Sequence, residues 1–64
     1  MSDGRVVAGA GGSAVGIAVD RRTAPATVSV WIEAPGHPIQ GTNLSPEAAR
    51  ELAERLTRAA GDAA

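Results

Sequence analysis

The sequence predicts a small α+β domain, an antiparallel β-meander of three or four strands with one C-terminal helix packed on one face. Two runs in the middle of the chain alternate between apolar and small or polar residues, which is the period of strands with one buried face. The last third combines a helix-start signature with apolar residues at helical spacing. We therefore expect a single domain over residues 1–64, with strands within 14–42, a helix over 45–60 and a partly flexible segment over 1–13.

The two alternating runs predict the central strands. They are separated by residues 21–25, a polar segment that suits a hairpin loop. If the apolar residues face the helix, the residues between them face the opposite side of the sheet. The apolar positions are Val15, Ile17 and Val19 in the first run and Val28, Val30 and Ile32 in the second.

Shorter elements complete the predicted meander. Residues 34–38 must form a turn, because they contain two prolines, which are poorly tolerated in a central strand. We expect residues 39–42 to form a short strand after this turn and Arg5–Ala8 to form an additional strand near the N-terminus. The glycine-rich residues 9–13 predict a flexible loop.

The last third of the chain predicts one capped amphipathic helix. Ser45 is a preferred N-cap, Pro46 suits the first helical position, and Glu47 places negative charge at the positive end of the helix dipole. Gly61 predicts the end of the helix, since glycine commonly follows the last helical residue. The apolar stripe consists of Ala49, Leu52, Ala53, Leu56 and Ala60.

Composition argues against several classes of protein. The net charge of −1 creates no field that would draw the chain to nucleic acid or to an anionic membrane, and the absence of cysteine excludes disulfides and thiolate metal sites. No apolar run approaches the roughly 20 residues of a membrane span. The chain starts with Met1 and lacks a leucine- or phenylalanine-rich leader, so we expect a complete cytoplasmic gene product.

Large apolar side chains are few for a chain of this length. Apolar residues make up 44% of the sequence, but half of them are alanine. Burial of a larger apolar side chain contributes about 1.5–3 kcal/mol, whereas ordering costs about 1.5 kcal/mol per residue. Because disulfides and thiolate metal sites are not available as supports, we expect self-association, most simply as a homodimer.

Trp31 is the candidate partner-binding residue. It alternates with the apolar positions of its strand and is expected on the face opposite the helix, together with Ser29 and Glu33. Its expected neighbours on the adjacent strand, Gly16 and Ala18, leave room for the indole. Two interpretations stay open: the indole packs at a homodimer interface or flat on the sheet, or it is a hot spot for another protein, since tryptophan is enriched at such positions.

Residues 9–14 match the relaxed glycine-rich fingerprint of dinucleotide-binding domains, and Glu33 stands near where an acid that binds ribose is expected. The fingerprint needs a helix after its glycines, because the pyrophosphate binds at a helix N-terminus. The alternation that begins at Ala14 predicts a strand there instead. Nucleotide binding through this loop is therefore a remote alternative, and we predict no cofactor.

No recognisable set of residues supports catalysis or metal binding, so we expect a protein that is not an enzyme. His37 is the only histidine and stands in the predicted turn without an identifiable partner. Arg21 and Arg22 lie at the predicted hairpin tip, where they could contact a partner protein or nucleic-acid phosphates. Because no basic stripe with interleaved aromatic residues accompanies them, nucleic-acid binding is the second hypothesis.

Residues 28–60 combine a strand hairpin with a helix that opens Leu44-Ser45-Pro46-Glu47 and continues Ala49-Arg50-Glu51-Leu52-Ala53. In this they resemble small uncharacterised proteins of actinobacteria and their phages. The resemblance implies no activity and favours an accessory bacterial or phage protein. We therefore predict a non-catalytic homodimer that binds an unidentified protein. The predicted contact residues are Trp31, Ser29, Glu33, Arg21 and Arg22.

Overall fold

The computed structural model describes residues 4–64, which form four strands, one short 3-10 helix (Ala10–Gly12) and one α-helix. The four strands pair in chain order, each strand antiparallel to its neighbour, and form an open meander. The predicted α+β fold class is confirmed. The first residues of the segment predicted to be partly flexible, 1–3, lie outside the described residues. The elements are β1 (Arg5–Ala8), β2 (Ala14–Asp20), β3 (Thr27–Glu33), β4 (Gln40–Leu44) and α1 (Pro46–Ala63).

Strand register divides the sheet into two chemically different faces. Ile17 pairs with Val30 and Gly16 pairs with Trp31, so the two alternating runs align apolar residues with apolar residues. Because side chains alternate along a strand, we call the side that carries Val30 the helix face and the side that carries Trp31 the Trp31 face. The helix face is formed by Arg5, Val7, Val15, Ile17, Val19, Val28, Val30, Ile32, Gln40, Thr42 and Leu44.

The last strand lies slightly later in the chain than the predicted segment 39–42. Asn43 and Leu44 belong to β4, because they pair with Ser29 and Val28 of β3. Ile39 precedes the strand and is exposed. The boundary therefore depends on pairing with β3, which the mostly polar sequence of β4 does not reveal.

Residues 9–13 form a hydrogen-bonded turn between β1 and β2. The backbone N–H of Gly9 donates to the Ser13 carbonyl at 2.8 Å, and the Ser13 hydroxyl donates to the Ala10 carbonyl at 2.6 Å. Gly11 and Gly12 have φ values of 67° and 78°, which other residues rarely adopt. The glycines thus allow the chain to reverse, and the described part of the segment predicted to be flexible holds a strand and a defined turn.

The helix begins as predicted. The backbone N–H of Ala48 donates to Ser45 Oγ at 3.1 Å, and Pro46 occupies the first turn, where its missing N–H leaves no bond unmade. Arg55 and Glu51, four residues apart on the helix, form an ion pair with Nη2 and Oε1 2.7 Å apart. The N-terminal half of α1 is therefore specified by local sequence.

The predicted end of the helix at Gly61 is wrong, since α1 continues through Gly61 to Ala63. A glycine that stops a helix takes a positive φ, and Gly61 is not among the glycines that do so. Glycine inside a helix costs only about 1 kcal/mol relative to alanine. The surrounding alanines favour the helix and outweigh that cost.

The described residues contain no buried apolar side chain. The helix makes its main contacts with β3 and β4, and every residue of it from Arg50 onward is exposed. Leu56 lies one turn after Leu52 on the same stripe, yet it is 60% exposed. The helix therefore packs on the predicted face but covers mainly its β3–β4 half. Within residues 4–64, no helix is both long and apolar enough to cross a membrane.

Candidate protein-interaction surfaces

The indole of Trp31 lies over Gly16 of one neighbouring strand, and the Cα and Cβ atoms of Trp31 lie against Gly41 of the other. In the sheet register Trp31 pairs with Gly16 of β2 and with Gly41 of β4. A Cβ atom on Gly16 would overlap the indole ring, and a Cβ atom on Gly41 would lie 2.8 Å from the Cβ of Trp31. This close approach requires glycine at both positions, and it confirms the prediction that Gly16 leaves room for the indole.

Hydrogen bonds within the chain hold the side chains around the indole. Trp31 Nε1 donates to Glu33 Oε2 at 2.7 Å, and the Ser29 hydroxyl donates to Asn43 Oδ1 at 2.8 Å. Ser29, Trp31 and Glu33 share the Trp31 face, as their alternation predicts. The flat packing is one of the arrangements that the sequence left open. Because Trp31 is only partly buried, the rest of its ring can still contact a partner.

Asp20 and Arg22 form a clamp at the end of β2. Arg22 donates from Nε to Asp20 Oδ1 at 3.0 Å and from Nη2 to Oδ2 at 2.8 Å, and its backbone N–H donates to Oδ1 at 3.0 Å. The side-chain bond from Arg22, reinforced by the backbone bond, lowers the pKa of the Asp20 carboxyl to about 2. The carboxylate in turn raises the pKa of Arg22. The clamp fixes the charged end of Arg22 beside the strand.

An open depression on the Trp31 face brings together four of the five residues predicted to bind a partner. Its volume is about 640 Å³. Glu33, the fifth predicted residue, does not line it but bonds to the indole that does. An aromatic ring beside arginines in a shallow surface suits contact with another protein better than enclosure of a small molecule. The lining residues are Ala18, Val19, Asp20, Arg21, Arg22, Ser29 and Trp31.

The helix face carries an additional apolar surface, which the sequence reasoning did not identify as a site. We call Val7, Val15, Ile17, Val19 and Ile32 the bare half of the helix face. Their exposed fractions lie between 40% and 60%. The sequence indicates this surface, because the two leucines of the helix stripe are too few to cover the six apolar β-branched residues on one face of the two central strands.

The C-terminal part of the helix adds to this apolar surface. We call Leu52, Leu56 and Ala60 the overhanging stripe of α1. Leu52 is 37% exposed at the point where the helix leaves the sheet, and exposure is greater at Leu56. The stripe thus continues the apolar side of the helix beyond its contact with β3 and β4.

Other candidate sites lack the geometry that their chemistry needs. Residues 9–13 lead into β2, so the glycines do not precede a helix N-terminus as a dinucleotide fingerprint requires. Within residues 4–64, histidine, aspartate and glutamate side chains form no group of three that could hold a metal ion. His37 is exposed in the turn before β4, where its backbone N–H donates to the Ala34 carbonyl at 3.2 Å.

Comparison of the chain with protein-family models, with curated proteins and with solved structures gave no match. The resemblance to actinobacterial and phage proteins therefore stays a prediction. The two surfaces are interpreted from their geometry and chemistry alone.

Proposed function

We propose that the protein is a non-catalytic interaction module that works as a homodimer and binds another protein. The observation that carries this proposal is the absence of buried apolar side chains among residues 4–64, together with the exposure of nine large apolar residues. Such a chain gains little free energy from the hydrophobic effect, so little offsets the conformational entropy that its backbone loses on folding. Association supplies the missing burial, as is usual for small domains without disulfides or metals.

The Trp31 face supports binding of a second protein. Tryptophan and arginine contribute a large share of binding energy at protein interfaces. The hydrogen bond to Glu33 and the clamp on Asp20 already hold Trp31 and Arg22 in place. Side chains that are held before binding lose less rotamer freedom on binding. The depression is therefore preorganised for a protein partner.

The alternative function, nucleic-acid binding through Arg21 and Arg22, has weaker support. The guanidinium of Arg22 donates to both carboxylate oxygens of Asp20, which offsets its charge locally. The net charge of the chain is −1, so no long-range field favours a polyanion. We therefore assign the two arginines to the rim of the protein-binding surface.

The proposal includes a source and a location. The helix start and the strand hairpin of residues 28–60 support an accessory protein of an actinobacterium or its phage. The proposed location is the cytoplasm.

Affinity capture from an actinobacterial lysate tests partner binding, with four baits compared side by side. The baits are the native chain, Trp31→Ala, Arg21→Glu and Arg58→Glu. Arg58→Glu is the matched charge reversal, because Arg58 lies on α1, away from the depression. We expect the native chain and Arg58→Glu to capture a protein that Trp31→Ala and Arg21→Glu do not capture.

Circular dichroism establishes that each bait is folded before capture. The partner-binding part of the proposal is contradicted if folded Trp31→Ala and Arg21→Glu retain the same proteins as the native chain. The homodimer part is contradicted if the native chain is a stably folded monomer at micromolar concentration.

A further inference from the structure

The bare half of the helix face and the overhanging stripe of α1 are apolar surfaces of matching chemistry. The bare half consists of β-branched side chains on β1 and β2 together with Ile32 of β3, and the overhanging stripe presents two leucines and one alanine. Alanines let a helix approach a sheet closely, while leucines fill the space between neighbouring side chains. Both surfaces remain exposed within residues 4–64.

The exposed area of the chain is larger than expected for a folded monomer. A monomer of 6.4 kDa is expected to expose ~3,800 Å², whereas this chain exposes 5150 Å². The excess of ~1,300 Å² is more than the roughly 800 Å² that each partner contributes to a standard protein–protein interface. The radius of gyration is 12.9 Å, compared with ~10.7 Å expected from the chain length. The excess is therefore large enough to supply one protomer's share of an interface of ordinary size.

Charge is arranged around the apolar surfaces and not within them. Arg5 is the only charged residue that the register places on the helix face of the described strands, and it lies on the edge strand β1 opposite Ile17. Beside Leu52, Glu51 and Arg55 line the groove between α1 and the sheet and pair with each other. An apolar centre with charges of opposite sign at its rim is typical of a specific interface.

We infer that the surface is occupied by a second copy of this chain, with the overhanging stripe of each protomer packed on the bare half of its partner's helix face. This inference rests on the proposed function, because it specifies the interface of the proposed homodimer. Each protomer offers both surfaces, so one two-fold axis satisfies both contacts and closes the assembly. The Trp31 face lies on the opposite side of each sheet and stays available for the partner protein.

Isotope-filtered NMR on a mixture of labelled and unlabelled native chain tests this contact directly. We expect intermolecular cross-peaks between the methyl groups of Leu56 and those of Val15 and Ile17. A dimer whose intermolecular cross-peaks come from the Trp31 face or from the sheet edges overturns this interface and leaves the proposed homodimer intact. A monomer in the same sample overturns both.

Cysteine cross-linking provides a second measurement, because the native chain has no cysteine. Chains with Val15→Cys are mixed with chains with Leu56→Cys and oxidised, and the mixed disulfide-linked dimer is identified by its mass. In the matched control, Ala18→Cys replaces Val15→Cys, since Ala18 lies on the same strand but on the Trp31 face. We expect the mixed dimer with Val15→Cys and its loss with Ala18→Cys. Equal yields from the two mixtures contradict the inference.

Discussion

The indole of Trp31 lies directly over Gly16, and no larger residue fits beneath it. Glycine inside a strand is unfavourable by itself, because it has no side chain to pack and loses much backbone freedom. Here the indole of Trp31, on the neighbouring strand, occupies the space that the missing side chain of Gly16 leaves. The pair therefore joins β2 to β3 on the Trp31 face and sets the position of the candidate partner-binding residue.

Gly16→Ala is expected to destabilise the fold by about 1–3 kcal/mol, because the added methyl group overlaps the indole and forces Trp31 to move. Urea unfolding at a fixed protein concentration, followed by the fluorescence of Trp31, measures the change. Fluorescence of the folded variant should also differ from that of the native chain. An unchanged midpoint with unchanged emission would show that the indole does not lie on Gly16.

Gly61→Ala is expected to stabilise the protein by about 0.5–1 kcal/mol, since Gly61 lies inside α1 and a Cβ atom there would meet no other atom within 4 Å. The same urea titration measures the gain, and this variant also serves as the matched glycine-to-alanine control for Gly16. Equal or lower stability would indicate that the helix ends before Gly61 in solution.

The clamp between Asp20 and Arg22 predicts a pH dependence of stability. Folding lowers the pKa of Asp20 from its ordinary value of 3.8 to about 2. The stabilisation is therefore complete above pH 3.8 and is lost as the pH falls through about 2. Thermal unfolding between pH 5 and pH 2 should show a smaller loss of stability for Asp20→Asn than for the native chain. Parallel curves for the two proteins would show that the clamp does not act in solution.

The substitution Leu56→Asp distinguishes a dimer that uses Leu56 in its interface from a monomer. Leu56 is 60% exposed within one chain, so a charge there should change the stability of a monomer by no more than about 0.5 kcal/mol. If Leu56 packs on a partner, the same substitution should weaken dimerisation by about tenfold or more. Thr57→Asp is the matched control, because it adds the same charge at the next residue, which lies off the apolar stripe. Sedimentation velocity measures both variants, and equal effects on dimerisation would remove Leu56 from the interface.

Local sequence was sufficient for the main elements of the fold. The alternation of apolar residues predicts β2 and β3, and Ser45 with Pro46 predicts the start of α1. Each pattern reflects a property of a single element: the two faces of a strand, or the hydrogen bonds at the start of a helix. Local sequence was also sufficient to place Trp31 on the face opposite the helix. Each of these predictions depends on residues that are close in the chain.

Features that depend on contacts between elements could not be derived in this way. Gly41 belongs to the support of Trp31, but its role appears only when β4 pairs with β3. The clamp between Asp20 and Arg22 requires the conformation of the loop after β2. The two leucines of the stripe indicate that α1 leaves part of the sheet uncovered, but which strands it covers depends on how the helix crosses them, and the periodicity of the helix does not contain that information.

Sedimentation equilibrium of the native chain over a range of concentrations tests the central claim most directly. The chain has a mass of 6.4 kDa, and we predict a species of twice this mass that dissociates on dilution. Because the protomer alone buries no apolar side chain among residues 4–64, circular dichroism should show loss of structure at the same dilutions. A species of constant mass 6.4 kDa that keeps its full circular dichroism signal at micromolar concentration would contradict the account.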